Sequence, residues 1–264
     1  MPTAPCQLIV DPPAAGPWNM AVDEALLTAA AASNRPVLRL YQWQRPTLSL
    51  GYFQRWADRE LHRASLEADV LRRLSGGGAI LHDRELTYSL ILPRTHPWAS
   101  DAQALYEKVH CAIVEQLELL IAQTDRRWQL TLCEATSPRK EKAEPFLCFQ
   151  RRAPGDVLLR CGEKSSAREE HKIIGSAQRR RRGAVLQHGS LLLARSAAAP
   201  ELPGLTDLTG VALSPSEAAS ALRSAFSTAL RLEMQESPLH ENIKMSALQL
   251  LPQRYASHAW TERR

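Results

Sequence analysis

The amino-acid sequence predicts an α+β domain, a mixed, largely antiparallel β-sheet flanked by helices. Two observations carry this. Helical and strand patterns interleave without a regular βαβα rhythm, and several neighbouring strand patterns are spaced as hairpins. The chain has 264 residues, 44% hydrophobic and 23% charged, enough for one large core and ordinary for a globular protein. No linker-like stretch divides it, so residues 1–264 are expected to form one catalytic-size domain with its core over about 18–232.

The elements follow in order. Pro17 to Leu27 reads as a helix start, with Asn19 as cap and Asp23 and Glu24 near the positive end of the dipole. Pro36 to Trp43 and Thr47 to Tyr52 are strand-rich, and Arg45-Pro46 between them predicts a hairpin. A short helix over Asp58 to Leu66 leads to a strand over Val70 to Leu74, a glycine run, and a strand over Leu86 to Leu92. From Asp101 to Gln123, apolar residues from Leu105 to Ile121 recur at steps of three and four, which predicts a helix with a core-facing stripe. Trp128 to Leu132 is a strand. Ser137 to Pro145 is charged, bounded by prolines, and expected to be an exposed loop. Strands over Asp156 to Arg160, Ile173 to Ala177 and Ala184 to Leu193 come next. They precede an amphipathic helix over Ser216 to Leu230, capped by Ser214 or Ser216, and a short helix over Ser246 to Tyr255.

Composition excludes several classes. The cysteines Cys6, Cys111, Cys133, Cys148 and Cys161 are odd in number and contain no C-x-x-C pair, which argues against a disulfide framework or a structural zinc site. Residues 1–10 lack the basic-then-apolar pattern of a secretory signal, and no apolar run reaches membrane-spanning length. A reduced, cytoplasmic protein is expected. The net charge of +5 is mild and suits acidic partners as readily as nucleic acid.

Three patches carry chemistry. In RRLSGGGAILHD (72–83), Gly76, Gly77 and Gly78 after a strand let backbone approach a ligand, and Arg72 and Arg73 could meet a phosphate or carboxylate. A glycine-rich turn with solvated arginines would produce the same string. No Gly-Lys-Ser/Thr follows, so it is not a Walker loop. In KIIGSAQ (172–178), the small residues Gly175, Ser176 and Ala177 leave room for an inserted chain, and Lys172 could polarise a carbonyl or favour a thiolate. A surface lysine at a strand start is the plainer reading. In LQHGSLLL (186–193), His188 could act as acid or base, or be structural.

Taken in this order, with NMAVDEALL and PTLSLGYFQ before them, these strings resemble the lipoate and octanoate branch of the biotin/lipoate protein ligase superfamily. The resemblance runs from about Trp18 to Leu193. It implies the catalytic core shared with biotin ligases and class II synthetases. It also implies that Arg73, Ser75, Gly76, Gly77, Gly78, His82, Asp83, Gly175, Ser176, Ala177, His188 and Gly189 bind substrate. The branch has two chemistries: ligases activate a free acid with ATP and Mg²⁺, while octanoyltransferases pass the acyl group through a cysteine thioester. The element Pro145 to Phe149 precedes the strand bearing Asp156, and its Cys-Phe is similar to the cysteine-dependent octanoyltransferases. The chain is also short for a ligase with a separate C-terminal accessory domain.

The resemblance therefore implies Cys148 as nucleophile and Lys172 as its electrostatic partner, with no cofactor required. Cys161 is the nearest rival thiol. The implied donor is octanoyl-acyl carrier protein. The implied acceptors are the glycine cleavage H protein or 2-oxoacid dehydrogenase lipoyl domains. An ATP-dependent lipoate ligase and an octanoyl amidotransferase between carriers are the alternatives. Two features depart from or add to the pattern. Residues 162–171 form a longer, charged connection than the family's tight turn. Arg179 to Arg182 make a basic hairpin tip, readable as a solvated turn, a nucleic-acid contact or, better suited to the family, a steering surface for acidic carrier proteins; no membrane contact is expected.

Overall fold

The computed structural model describes residues 3–121, 128–134, 144–161 and 170–264. In chain order the elements begin with β1 (Ala4–Val10), α1 (Gly16–Ala30), β2 (Val37–Tyr41), β3 (Thr47–Leu50), β4 (Asp69–Arg72), β5 (Ile80–His82) and β6 (Glu85–Leu92). They continue with α2 (Ala102–Ile121), β7 (Trp128–Leu132), β8 (Val157–Cys161), β9 (Glu170–Arg181) and β10 (Ala184–Leu192). The last are α3 (Leu205–Thr209), α4 (Pro215–Leu230), β11 (Leu232–Glu236), α5 (Glu241–Leu250) and α6 (His258–Thr261).

The main sheet has the order β11-β1-β2-β6-β10-β9-β8-β7. β1 runs parallel to both β11 and β2, and every later pairing is antiparallel. The predicted mixed, largely antiparallel sheet is therefore present. Its two faces are separated by the period of two along a strand. Leu8, Leu90 and Val185 face a core built with Val109, Ile113 and Leu117 of α2 and Leu222 and Phe226 of α4. Ile9, Ile91 and Leu186 face the opposite core, against Met20, Val22 and Leu26 of α1 and Ala247 of α5. β6 and β10 are buried at every residue because helices cover both sides of them. Full burial of a side chain such as Phe226 is worth about 1.5–3 kcal/mol.

A second sheet, β4-β3-β5, is parallel between β3 and β4 and antiparallel between β3 and β5. It holds the glycine run between β4 and β5. The hairpin expected at Arg45-Pro46 is not formed, because β2 joins the main sheet and β3 the small one. The pairing is decided by distant partners: the buried side chain of Arg39 on β2 bonds Asp11 at 2.7 Å and Asp23 at 2.9 Å, anchoring that strand beside α1.

Asn19 also differs from its expected role. The cap position of α1 is Ala15, and Asn19 lies inside the helix, fully buried. Its amide donates to the carbonyls of Ala14 and Gln42, and its Oδ1 accepts from Arg39. α4 behaves as its sequence indicates: Ser214 and Glu217 form a reciprocal capping box. The C-terminal segment folds back onto the core. Arg72 donates to the carbonyl of Thr261, Trp260 to that of Arg72, and Tyr255 to Glu24 on α1. The loop expected over Ser137 to Pro145 and the connection at 162–171 lie, apart from Glu144, Pro145, Glu170 and His171, outside the described residues.

Candidate active site

The site forms where the glycine run of the small sheet meets β9 and β10, interior strands of the large one. Cys148 opens a single 3₁₀ turn, Cys148–Gln150. Its N–H donates to the Ala79 carbonyl at 2.7 Å, and the Ala79 N–H donates to the Phe146 carbonyl at 3.0 Å. These two bonds lay the thiol-bearing segment along the end of the glycine run. Lys172, near the start of β9, points at it from the main sheet. Its Nζ is 3.7 Å from the Cys148 Sγ and 3.4 Å from the Cys148 carbonyl oxygen.

Lys172 and Asp156 are both buried and paired at 2.8 Å. A buried ion pair persists only when its remaining valences are met. Here Tyr106 of α2 donates to Asp156 Oδ1 at 2.7 Å, and the Ala153 N–H donates to Oδ2 at 2.7 Å. The backbone aims the lysine by a β-bulge: Val157 faces Ile174 while Leu158 faces Lys172, so β9 carries one extra residue at this point. Gly175 makes room for the side chain. A Cβ there would lie 2.4 Å from Lys172 Cε and 2.8 Å from its Nζ.

The glycine run is shaped from both sides. Gly77 has φ +90°, a conformation that favours glycine, and its carbonyl oxygen packs so close to Gly51 that a Cβ at Gly51 would stand 2.0 Å away. A Cβ on Gly78 would come within 3.0 Å of the Cys148 nitrogen. Arg73 is buried beneath the loop. Its guanidinium donates to the carbonyls of Ser49, Gly76 and Gly78 at 2.6–2.7 Å, and burial pushes it down to about 10. Arg72 likewise spends its guanidinium on the carbonyls of Gly51, Gln54 and Thr261. The arginines thus brace the loop from below, a use that the string RRLSGGG did not disclose.

Beside the loop is a narrow, apolar cavity with a free volume of ≈ 20 Å³, bordered by Met20, Arg73, Ile80, His82, Ala177 and His188. Gly189 and Ser190 also border it, whereas Gly76, Gly77 and Gly78 do not. Ile80 links it to the thiol, packing with Phe149 and Cys148 in one small cluster. Two buried relays close its walls. Ser75 and His188 Nε2 are hydrogen-bonded at 2.6 Å, and His188 Nδ1 lies 3.4 Å from Asp23 Oδ2. His82 Nδ1 donates to Glu85 at 2.7 Å, leaving Nε2 to accept from Ser49 at 2.8 Å; burial lowers the His82 pKa and favours this neutral form. Trp43 stacks on the His82 ring at 3.8 Å between centroids.

Other expected site residues face elsewhere. Asp83 accepts from Ser196 at 2.7 Å. The Ser176 hydroxyl donates to His110 Nε2 and accepts from Tyr88, within a buried network that ends on the Gly155 carbonyl. The rival thiol Cys161 ends β8 at an exposed position. Sequence reasoning missed Asp23, Glu85, Tyr106 and His110. Asp23 and Glu24 read as ordinary first-turn acids, yet both are buried anchors. A carboxylate on the apolar side of a predicted helix was the available signal.

A mixed sheet flanked by helices, with a thiol, a buried lysine–carboxylate pair and a glycine-rich loop against its interior strands, defines a catalytic domain of the biotin/lipoate protein ligase type. Residues 16–202 match the lipoyl protein ligase A/B catalytic domain, and the chain belongs to that family. The octanoyltransferase LipM of Clostridioides difficile is 37% identical over 182 residues, 67% of this chain and 62% of that protein's length. That of Kyrpidia tusciae is 31% identical over 278 residues, 94% of each chain. A bipartite lipoate protein ligase of Thermoplasma acidophilum shares the fold at TM-score 0.68 and 21% identity, covering 98% of this chain and 96% of that one. A lipoate-protein ligase A bound with ATP does so at TM-score 0.71 and 21% identity, covering 98% of each.

Proposed function

We propose that the chain is an octanoyltransferase that moves a medium-chain acyl group from acyl carrier protein, through a thioester on Cys148, to a lysine of a lipoyl-carrier protein. The observation that carries this is the Lys172 ammonium 3.7 Å from the Cys148 sulfur. The relatives named octanoyltransferase support the acyltransferase class. An adenylating route has no use for a thiol at that place.

The steps balance without ATP. The Cys148 thiolate attacks the donor carbonyl, a C–S bond forms, and the carrier thiol departs with a proton. One thioester replaces another, so the exchange is nearly isoenergetic. The neutral amine of the acceptor lysine then attacks the acyl-enzyme. A C–N bond forms, the Cys148 C–S bond breaks, and the amine's proton goes to solvent or back to the thiolate. Lys172 favours the anion on sulfur and the oxyanion of each tetrahedral intermediate, while Asp156 and Tyr106 hold it in place. The apolar cavity by Ile80 would widen to admit the acyl chain, and the Ser75–His188–Asp23 relay would fix its wall. The glycine cleavage H protein and 2-oxoacid dehydrogenase lipoyl domains supply acceptor lysines of the right kind, and the cytoplasm is where donor and acceptor would meet. No helix among the described residues is long and apolar enough to cross a membrane.

The test is intact-mass analysis after incubation with octanoyl-acyl carrier protein. An octanoyl adduct on the peptide bearing Cys148, released by hydroxylamine and absent from Cys148→Ala, is expected. Full transfer by Cys148→Ala, or ATP-dependent pyrophosphate exchange with free lipoate, would replace this reading with a ligase.

A further inference from the structure

Beside Leu74, just past the end of β4 where the chain leads into the glycine run, lies a second and larger cavity of ≈ 300 Å³. Arg179, Arg180, Arg181 and Arg254 border it, together with Tyr52 and Trp260. It is assembled from five parts of the chain: α1, the turn after β3, the stretch just past β4, the β9–β10 hairpin and the C-terminal segment. Its construction is specific. Arg179 lies 5.3 Å over the Tyr52 ring, Arg254 lies 4.5 Å over Trp260, and Arg263 lies over both rings, at 3.8 and 4.1 Å.

The charges here do not balance. Glu24 is the one carboxylate that borders the cavity among the described residues, and it is shared between Arg181 and Arg254. Arg180 adds no charge to the cavity, because its side chain turns to the other face of the sheet and donates to the Ala99 carbonyl; Arg263 donates to the carbonyl of Tyr52. Guanidinium groups gathered on so few carboxylates repel one another, and a bound anion would relieve that repulsion. Planar forked donors set over aromatic faces are a cradle for phosphate oxygens.

Position says which phosphate. The Tyr52 N–H donates to the Ser75 carbonyl at 2.9 Å, and Leu74 in the cavity wall stands two residues before the glycine run. Arg179 stands seven residues along β9 from Lys172, a span of roughly 23 Å for an extended strand. That is of the order an extended phosphopantetheine arm bridges from its phosphate to its thioester. Resting on the carrier-protein donor proposed above, we propose that this arginine pocket holds the phosphodiester of the pantetheine arm that delivers the acyl group to Cys148.

The experiment measures Cys148 acylation by octanoyl-pantetheine and by octanoyl-phosphopantetheine, with intact mass as readout. Wild-type protein should prefer the phosphorylated donor by about tenfold or more, the scale of a charge-assisted hydrogen bond. Arg179 and Arg181 are exposed and Glu24 keeps Arg254, so Arg179→Gln/Arg181→Gln should keep its melting temperature while the donor ratio falls towards one. Arg182→Gln, outside the pocket, should keep the ratio. Equal use of both donors by wild type, or an unchanged ratio in the double variant, overturns the proposal. So does a double variant slowed only with the intact carrier protein, because the arginines would then be meeting its acidic surface. Titration of unacylated phosphopantetheine and pantetheine separates this claim from the donor reading. Phosphate-dependent binding without acylation sinks the donor reading and keeps the pocket; equal binding sinks the pocket.

Discussion

Replacing Lys172 by methionine keeps the stem and removes the charge, and the structure sets the size of the effect. At an effective dielectric of about 20, an ammonium 3.7 Å from a thiolate attracts it by about 4 kcal/mol. Asp156, 2.8 Å from the same nitrogen, cancels part of that field. A net of about 2–3 kcal/mol corresponds to roughly 10² in rate, close to the loss of one oxyanion donor. The substitution also strands Asp156 in the interior with only Tyr106 and the Ala153 N–H for company. An uncompensated buried charge costs about 3–5 kcal/mol, so Lys172→Met should melt at a visibly lower temperature. The double variant Lys172→Met/Asp156→Asn removes the stranded charge and should recover most of that loss. Both variants, assayed while folded, should show slow Cys148 alkylation at neutral pH and transfer reduced by about 10². Lys172→Arg should also be poor, because Gly175 leaves space for a narrow stem and not for a planar fork. Normal alkylation and turnover by the folded double variant would refute the electrostatic role and leave the cysteine's activation to another group.

Three further outcomes are expected. Gly175→Ala puts a methyl 2.4 Å from Lys172 Cε and should displace the ammonium, lowering transfer about tenfold or more with Cys148 still present; unchanged kcat/KM would show the bulge can absorb it. His110 is held neutral by burial, which pushes its pKa from 6.5 down to about 4. The unfolded chain therefore binds the proton first, and stability should fall from about pH 6.5 to about pH 4, by on the order of 3 kcal/mol from this group. Denaturant melts of His110→Gln should show a shallower loss over that window, and a parallel curve would remove His110 from the account. Ser214→Ala deletes the cap of α4 and should cost about 1 kcal/mol in thermal or urea unfolding without touching Cys148 chemistry.

Legibility in the sequence followed the range of the interaction. α2 and α4 were readable because a stripe at helical spacing and a Ser-x-x-Glu box are local signals. β6, β7, β8 and β10 were readable from short apolar runs between breakers. β1 and β11 were not, since Ala4–Val10 contains a proline and Leu232–Glu236 buries only its first residue; each is a strand because of the other. The partnership of β2 with β6 was hidden for the same reason: a turn at Arg45-Pro46 suits a hairpin, and only Asp11 and Asp23 decide otherwise. In the site, Cys148, Lys172 and the glycines stood out as motif residues. The residues that hold them had no motif. Asp156 was read as a strand start, Tyr106 as a helix residue, and Asp23 as a dipole charge. Their partners lie across the sheet, where no spacing rule reaches.

The parallel embrace of β1 by β2 and β11 bears on how the chain is made. β1 leaves the ribosome before either partner, and β2 can join it within a few dozen residues. Its other margin has no partner until residues 232–236 emerge. While the residues between β1 and β11 are made, Ala4–Val10, with Leu8 and Ile9 pointing to opposite faces, offers an open row of N–H and C=O groups beside apolar side chains. Closing that margin is among the most distant contacts in the molecule, so it belongs late in folding and slowly formed. A nascent chain stalled before β11 would display a sticky sheet edge, and its dependence on holdase chaperones should end when β11 clears the exit tunnel.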